Sequence, residues 1–295
     1  MAKDNLIDGR AVAAQIHAET KQRVEDLAGR GVVPGLAFVR VGEDPASRVY
    51  VGMKEKKSAE LGIRSQTFVL GEQTTQAELL ALIGRLNADP TWHGILVQAP
   101  LPQHISEQVV FSTVTPAKDV DGFHPENVGK LMLGDSSGFR PCTPAGVHEL
   151  LIRSCVEISG ADVVVLGRGN IVGKPMTAIL CQKAPHANAT VTLCHSRSRD
   201  IADRCRRADI IIAAMGVAEF VKADMVNERA VIIDVGVNRI EDPGSPKGYR
   251  LVGDVDFAHV QPKVRLITPN PGGVGPMTIA MLLQNTVRAA EATVT

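Results

Sequence analysis

The sequence predicts an α/β protein of two domains built on parallel sheets, and three observations predict it. Strand-like and helical patterns alternate through nearly all of the 295 residues, which is the mark of parallel strands joined by helical crossovers. In the second half, DVVVLG (162–167), ATVTLC (189–194), DIIIAA (209–214), AVIIDVG (230–236) and VRLIT (264–268) are continuous apolar runs rich in β-branched residues. Such runs suit strands covered on both faces. Between the halves, Thr115 to Thr143 is rich in Pro, Gly, Asp and Ser, and reads as a long connection between domains.

The elements follow in order. Residues 9–28 carry Val12, Ile16, Val24 and Leu27 at helical spacing, and GLAFVRV (35–41) reads as a strand. The polar EDP turn opens a helix over 46–61, and SQTFVL (65–70) is the next strand. Thr75 and Glu78 form a capping-box pattern ahead of Leu79, Leu82, Ile83 and Leu86. GILV (94–97) is a strand that runs into the loop QAPLPQHI. TPAGVHELLIRS (143–154) predicts a helix with Thr143 as N-cap and Pro144 at the first helical position. The last helix spans 276–292.

Composition narrows the function classes. Apolar residues are 44% and charged residues 22%, ordinary for a globular protein. Lys+Arg and Asp+Glu balance at 32 each, so no global field draws nucleic acid or an anionic membrane, and a charged ligand needs a local site. MAKDNLIDGR is too polar for a signal peptide, and the longest apolar run, 210–218, is too short to span a bilayer. The five cysteines lack CxxC spacing, which fits free thiols in a reducing cytoplasm and neither a metal site nor a disulfide framework.

Five segments carry candidate chemistry. VVVLGRGNIVGKPM (163–176) places Gly167, Gly169 and Gly173 between a strand and a helix. Such a turn lets backbone amides and a helix N-terminus approach a pyrophosphate. The GxGxxxG spacing is one residue longer than the usual fingerprint, and an ordinary βα turn is the bland reading. The next strand ends in Cys194-His195-Ser196-Arg197, with no carboxylate for ribose hydroxyls. Arg168, Ser196 and Arg197 offer instead what a 2′-phosphate needs, so the cofactor expected is NADP rather than NAD. Gln98 leaves the carboxyl end of a strand, where open α/β sheets bind ligands. In KDVDG, Asp119 and Asp121 precede a glycine; one could receive paired hydrogen bonds from a heterocycle, or both could belong to an Asx turn. ITPNPGGVGPMT (267–278) is a stiff, close-approach backbone, either a ligand-facing loop or a rigid connector. In VYVGMKEKK, Tyr50 and Lys54 share one helix face: a stacking ring beside an amine, or a packing residue beside a solvated one.

In this order and spacing the segments resemble the bifunctional methylenetetrahydrofolate dehydrogenase/methenyltetrahydrofolate cyclohydrolase family over nearly the whole chain. KDVDGFHPENVGKL, CTPAG (142–146) and PGGVGPMT (271–278) are the most specific pieces. The resemblance implies a folate-binding catalytic domain over 1–140 plus 276–295, a Rossmann-type NADP domain over 141–275, a cleft between them, and a homodimer. It implies Lys54 as the catalytic acid/base, Tyr50 as the ring stacked on folate, Gln98 as the group positioning the lysine, and Asp121 as the pterin-binding carboxylate. Pro100, Pro269, Gly272 and Gly273 fall with the substrate. Gly167, Arg168, Gly169, Gly173, His195, Ser196, Arg197, Val237 and Thr278 fall with the cofactor.

Three residues depart from the family pattern. Gly169 stands where a serine is usual, Asn270 where an apolar residue is expected, and Ala99 where a leucine is expected. Two other readings are a shikimate- or amino-acid-dehydrogenase-like oxidoreductase, whose carboxylate substrates would meet acid in KDVDG, and a non-catalytic NADP- or folate-binding protein.

Overall fold

The strand-rich runs form two separate parallel sheets and a hairpin in the computed structural model, which describes residues 5–245 and 248–294. The chain divides into two units. Ala14–Cys142 group with the segment from Ile279 onward, and the residues up to Ala13 group with Thr143–Thr278. They are called here the lysine unit and the glycine-loop unit.

In chain order the lysine unit contains most of α1 (Gly9–Gly29), then β1 (Gly35–Val41), α2 (Pro45–Glu60), β2 (Arg64–Leu70), α3 (Gln76–Ala88), β3 (Gly94–Val97), α4 (Glu107–Thr113) and α5 (Pro125–Leu133). Its sheet has the order β2-β1-β3, all parallel. β1 is buried along its whole length. Ala37 and Val39 pack with Leu79, Ile83 and Ile95, so α3 closes one face. The Thr75–Glu78 capping box forms in full, an arrangement that stabilises a helix start by about 1 kcal/mol. Asp44 caps α2 through Ser47, with Pro45 at its start.

The glycine-loop unit contains α6 (Cys142–Arg153), β4 (Asp162–Leu166), α7 (Gly173–Leu180), β5 (Thr190–Cys194), α8 (Ile201–Arg207), β6 (Ile210–Ala213), β7 (Val231–Asp234), β8 (Asn238–Glu241), β9 (Tyr249–Val252), α9 (Phe257–Val260), β10 (Leu266–Ile267) and the start of α10 (Val274–Glu291). Its sheet has the order β10-β7-β6-β4-β5, all parallel. β4 therefore has β5 on one side and β6 on the other, the strand order that makes a topological switch point. Val164, Leu166, Ile211 and Ile232 pack with Cys205, Val260 and Val264 in its core.

The structure corrects three expectations. The 115–143 connection is not structureless: it holds a 3-10 turn at Pro116–Lys118 and the helix α5. His124 and Pro125 start that helix and Gly134 ends it in a left-handed conformation, so the Pro and Gly content that suggested loop is helix punctuation. Thr143 is not an N-cap. The helix begins at Cys142, and the Thr143 hydroxyl is instead 2.9 Å from that of Thr278. Pro144 is tolerated because first-turn N–H groups have no partner within the helix. The strand expected over 264–268 pairs only at Leu266 and Ile267. The β8–β9 hairpin and α4, α8 and α9 were not anticipated; these three helices have only 7, 7 and 4 residues, too short to show a clear period.

Candidate active site

Lys54 lies in the third turn of α2 and is only 7% exposed. Its Nζ donates to Gln98 Oε1 at 3.0 Å. Gln98 follows β3 directly, its backbone N–H donating to the Val39 carbonyl at 2.8 Å. Its Nε2 donates to the Ala99 carbonyl at 2.7 Å, and that bond turns the amide oxygen toward the lysine. Burial lowers the Lys54 pKa, opposed by the negative charge of Asp121. Tyr50 is one turn earlier on α2, 41% exposed. Pro100 is exposed on the loop after Gln98.

The two aspartates of KDVDG have different tasks. Asp119 is buried and ties the loop: its carboxylate accepts from Phe123 N at 3.2 Å, His124 N at 2.8 Å and Asn127 Nδ2 at 2.8 Å. Burial still pushes its pKa up to about 6 against those three donors. Asp121 is half-buried and is spared such ties. Burial raises its pKa as well, while Lys54 and the neighbouring Cys142 thiol lower it. The turn that follows them requires Gly122, whose φ is +78° and where a Cβ would lie 2.6 Å from Pro141 N.

Cys142 and Asn285 were not foreseen as neighbours of this group. The Cys142 thiol donates to the Val120 carbonyl at 3.3 Å, and its pKa is raised by burial and by Asp121, so it stays protonated. Asn285 donates to the same carbonyl at 2.8 Å and to that of Arg140 at 3.3 Å. A buried Asn on an apolar helix face was the available signal.

In the other unit, the register pairs Leu166 with Cys194. The turn after β4 and the turn after β5 thus begin side by side, joined by Gly167 N to the Cys194 carbonyl at 2.9 Å. Gly167 has φ +109°, and a Cβ there would strike the Ala214 carbonyl; a Cβ on Gly173 would strike the Gly167 carbonyl. Both glycines make a cradle that side chains would fill. Gly169 differs, since a Cβ there meets nothing within 4 Å. Arg168, Ser196 and Arg197 are exposed, and neither arginine forms an ion pair among the described residues. His195 is half-buried; its Nδ1 accepts from Arg197 N at 3.2 Å and its N–H donates to Ser198 Oγ at 2.9 Å, which makes a tight turn. The residues fit a dinucleotide bearing an extra phosphate. No group of His, Cys, Asp or Glu among the described residues could hold a metal ion.

Val237 is exposed after β7, and Pro269 and Thr278 are half-buried. Gly272 has φ +112°, and Gly273 approaches Thr268 and Pro269 so closely that a Cβ would lie 2.6 Å from the Pro269 carbonyl oxygen. Asn270 donates to the Gly236 carbonyl, which is why a polar side chain is accommodated where an apolar one was expected. Ala99 is half-buried and nothing in the structure explains its departure.

A doubly wound dinucleotide unit, joined to a smaller α/β unit that buries a lysine beside a glutamine, defines a two-domain nucleotide-dependent enzyme. The comparisons with known proteins say which. The tetrahydrofolate dehydrogenase/cyclohydrolase catalytic domain matches residues 7–121, and the NAD(P)-binding domain of the same family matches 141–294. "Bifunctional protein FolD" of Prosthecochloris aestuarii is 54% identical over 286 residues, covering 96% of this chain and 97% of that protein. The crystal structure of the bifunctional enzyme FolD from Campylobacter jejuni is 48% identical with TM-score 0.92, covering 98% of this chain and 99% of that one. A Trypanosoma brucei methylenetetrahydrofolate dehydrogenase-cyclohydrolase solved with NADP and an inhibitor is 41% identical with TM-score 0.93, covering 100% and 99%. The chain belongs to the tetrahydrofolate dehydrogenase/cyclohydrolase family.

Proposed function

We propose that the protein oxidises 5,10-methylenetetrahydrofolate to the 5,10-methenyl form with NADP and then hydrolyses that product to 10-formyltetrahydrofolate, with Lys54 as acid/base. The observation that carries the reading is the buried Lys54 amine held 3.0 Å from Gln98. NADP, when bound, supplies the hydride acceptor. The cradle at Gly167 and Gly173 holds its pyrophosphate, and Arg168, Ser196 and Arg197 hold the 2′-phosphate. Tyr50 presents its ring face to the flat pterin, and Asp121 receives the hydrogen bonds of the pterin's amidine-like edge. In the hydrolytic step Lys54, with its pKa lowered, takes a proton from the water that adds to the methenyl carbon. The added hydroxyl then loses its remaining proton to solvent as the formyl carbonyl forms and the C–N bond on the N5 side breaks, and Lys54 returns its proton to the departing nitrogen. Gln98 orients the amine without adding a counter-charge that would hold its proton.

The test is an assay of purified protein with 5,10-methylenetetrahydrofolate, run with NADP and separately with NAD. Reduced nicotinamide and 10-formyl product with NADP are expected; turnover that favours NAD would remove the role given to Arg197. A homodimer in the cytoplasm belongs to the same proposal, supported by the resemblance; no helix among the described residues is long and apolar enough to cross a membrane. Sedimentation at twice the chain mass is expected, and a single-chain mass would end the dimer reading.

The glycine loop makes its own prediction. Gly169 has room for a side chain, so Gly169→Ser is expected to tighten NADP binding about three-fold by adding one hydroxyl donor. Gly173→Ala places its Cβ against the Gly167 carbonyl and is expected to weaken NADP binding by roughly ten-fold or more. Isothermal titration calorimetry with NADP checks both, and equal effects of the two substitutions would refute the cradle.

A further inference from the structure

The glycine-loop unit buries two carboxylates that the proposed chemistry leaves unused. Asp234 ends β7 and Asp254 follows β9; they are 3% and 0% exposed. Their partners are N–H groups. Asp234 accepts from Asp254 N at 2.9 Å and Val255 N at 3.2 Å, which fixes the backbone that carries Asp254. The Asp254 backbone is held again through its carbonyl, which accepts from Val221 N at 2.9 Å. The Asp254 carboxylate then reaches outward. One oxygen accepts from Met215 N at 2.7 Å and Gly216 N at 3.0 Å; the other accepts from Asn238 Nδ2 at 2.9 Å. It fills the space that a Cβ on Gly236 would need, and the Gly236 carbonyl accepts from Asn270.

One buried carboxylate thus ties together the segments that follow β6 and β7, and Val237 lies inside the tied stretch. The sheet order gives those segments a meaning. A ligand crosses the carboxyl edge at the switch point between β4 and β6. The 2′-phosphate residues follow β5, on the far side of β4 from β6. The nicotinamide end therefore extends toward the segments after β6 and β7. We propose that Asp254 is a positioning residue: it holds Met215–Gly216 and Gly236–Asn238 as a rigid rim for the nicotinamide half of the cofactor, with Asn270 closing the same rim from the loop after β10. The inference rests on reading this unit as an NADP site.

The experiment compares NADP with adenosine 2′,5′-bisphosphate, which lacks the nicotinamide half, in binding to wild type, Asp254→Ala and Asn238→Ala. Asn238→Ala deletes one partially exposed side chain, so it tests the rim even where Asp254→Ala fails to fold. We expect NADP to weaken about five-fold in Asn238→Ala and more than ten-fold in Asp254→Ala, from loss of one and three hydrogen bonds, with the bisphosphate unchanged within about two-fold. In the cofactor-free protein, hydrogen exchange at the Met215 and Gly216 amides should accelerate in Asp254→Ala. Asp254→Asn should restore much of the NADP affinity, because its oxygen can serve the two amides while the Asn238 amide turns to accept from its nitrogen. NADP and the bisphosphate weakening in proportion, or neither weakening, would overturn the inference while leaving the cofactor reading intact. A wild-type protein that binds neither ligand would overturn the cofactor reading and the inference with it.

Discussion

Lys54→Met is expected to lower the cyclohydrolase rate by about 10³-fold, within the range that a positioned acid/base supplies, while the melting temperature and NADP affinity stay near wild type. Methionine matches the length of the lysine stem and removes only the amine, and the position is 7% exposed. The substitution therefore relieves a buried polar group of its burial cost. It leaves Gln98 Oε1 without its donor, but the Nε2 bond to the Ala99 carbonyl remains, and stability should change by no more than about 1–2 kcal/mol. Stopped-flow measurement of methenyl decay in the absence of cofactor isolates the step. A Lys54→Met protein that hydrolysed the methenyl substrate at the wild-type rate would show that the amine does not move the proton.

The parts legible in the sequence were those with a period or a punctuation mark. The capping box at Thr75 and Glu78, the β-branched runs of β4, β6 and β7, and the strand–glycine–helix step at Gly167 each state a local physical requirement that no distant residue can cancel. Tyr50 and Lys54 were legible as one helix face for the same reason. The structure added what only tertiary packing decides. Gln98 and Lys54 are 44 positions apart in the chain, yet the register of β3 on β1 brings one to the other. Asp119 and Asp121 are indistinguishable in KDVDG, and only the donors at Phe123, His124 and Asn127 separate the loop-tying carboxylate from the one proposed to bind the pterin. Asp254 was invisible because its partners are main-chain amides and one Asn, a pairing that leaves no charge pattern to read. Among the three glycines of the dinucleotide turn, contact geometry shows that two are obligatory and Gly169 is not.

The second large effect is at Asp121. Asp121→Asn should weaken binding of the folate substrate by about 10²-fold, the equivalent of about 3 kcal/mol for losing charge-assisted hydrogen bonds to the pterin edge. NADP binding should not change, since the dinucleotide cradle belongs to the other unit. The same substitution has a second, signed consequence. The Asp121 charge favours protonated Lys54 and so raises a pKa that burial lowers. Removing that charge lets the Lys54 pKa fall further. In the proposed role Lys54 must be neutral to accept a proton, so cyclohydrolase kcat/KM should rise with pH as the amine loses its own. In Asp121→Asn this acidic limb should therefore move to lower pH, even as the absolute rate at low substrate drops. A pH profile of kcat/KM for methenyl hydrolysis reads both effects at once. A limb that stays in place would mean that another group controls the profile, and a limb that moves to higher pH would mean that Asp121 acts on Lys54 with the opposite sign. Loss of folate and NADP binding in equal measure would instead place Asp121 in the folding of its loop, alongside Asp119.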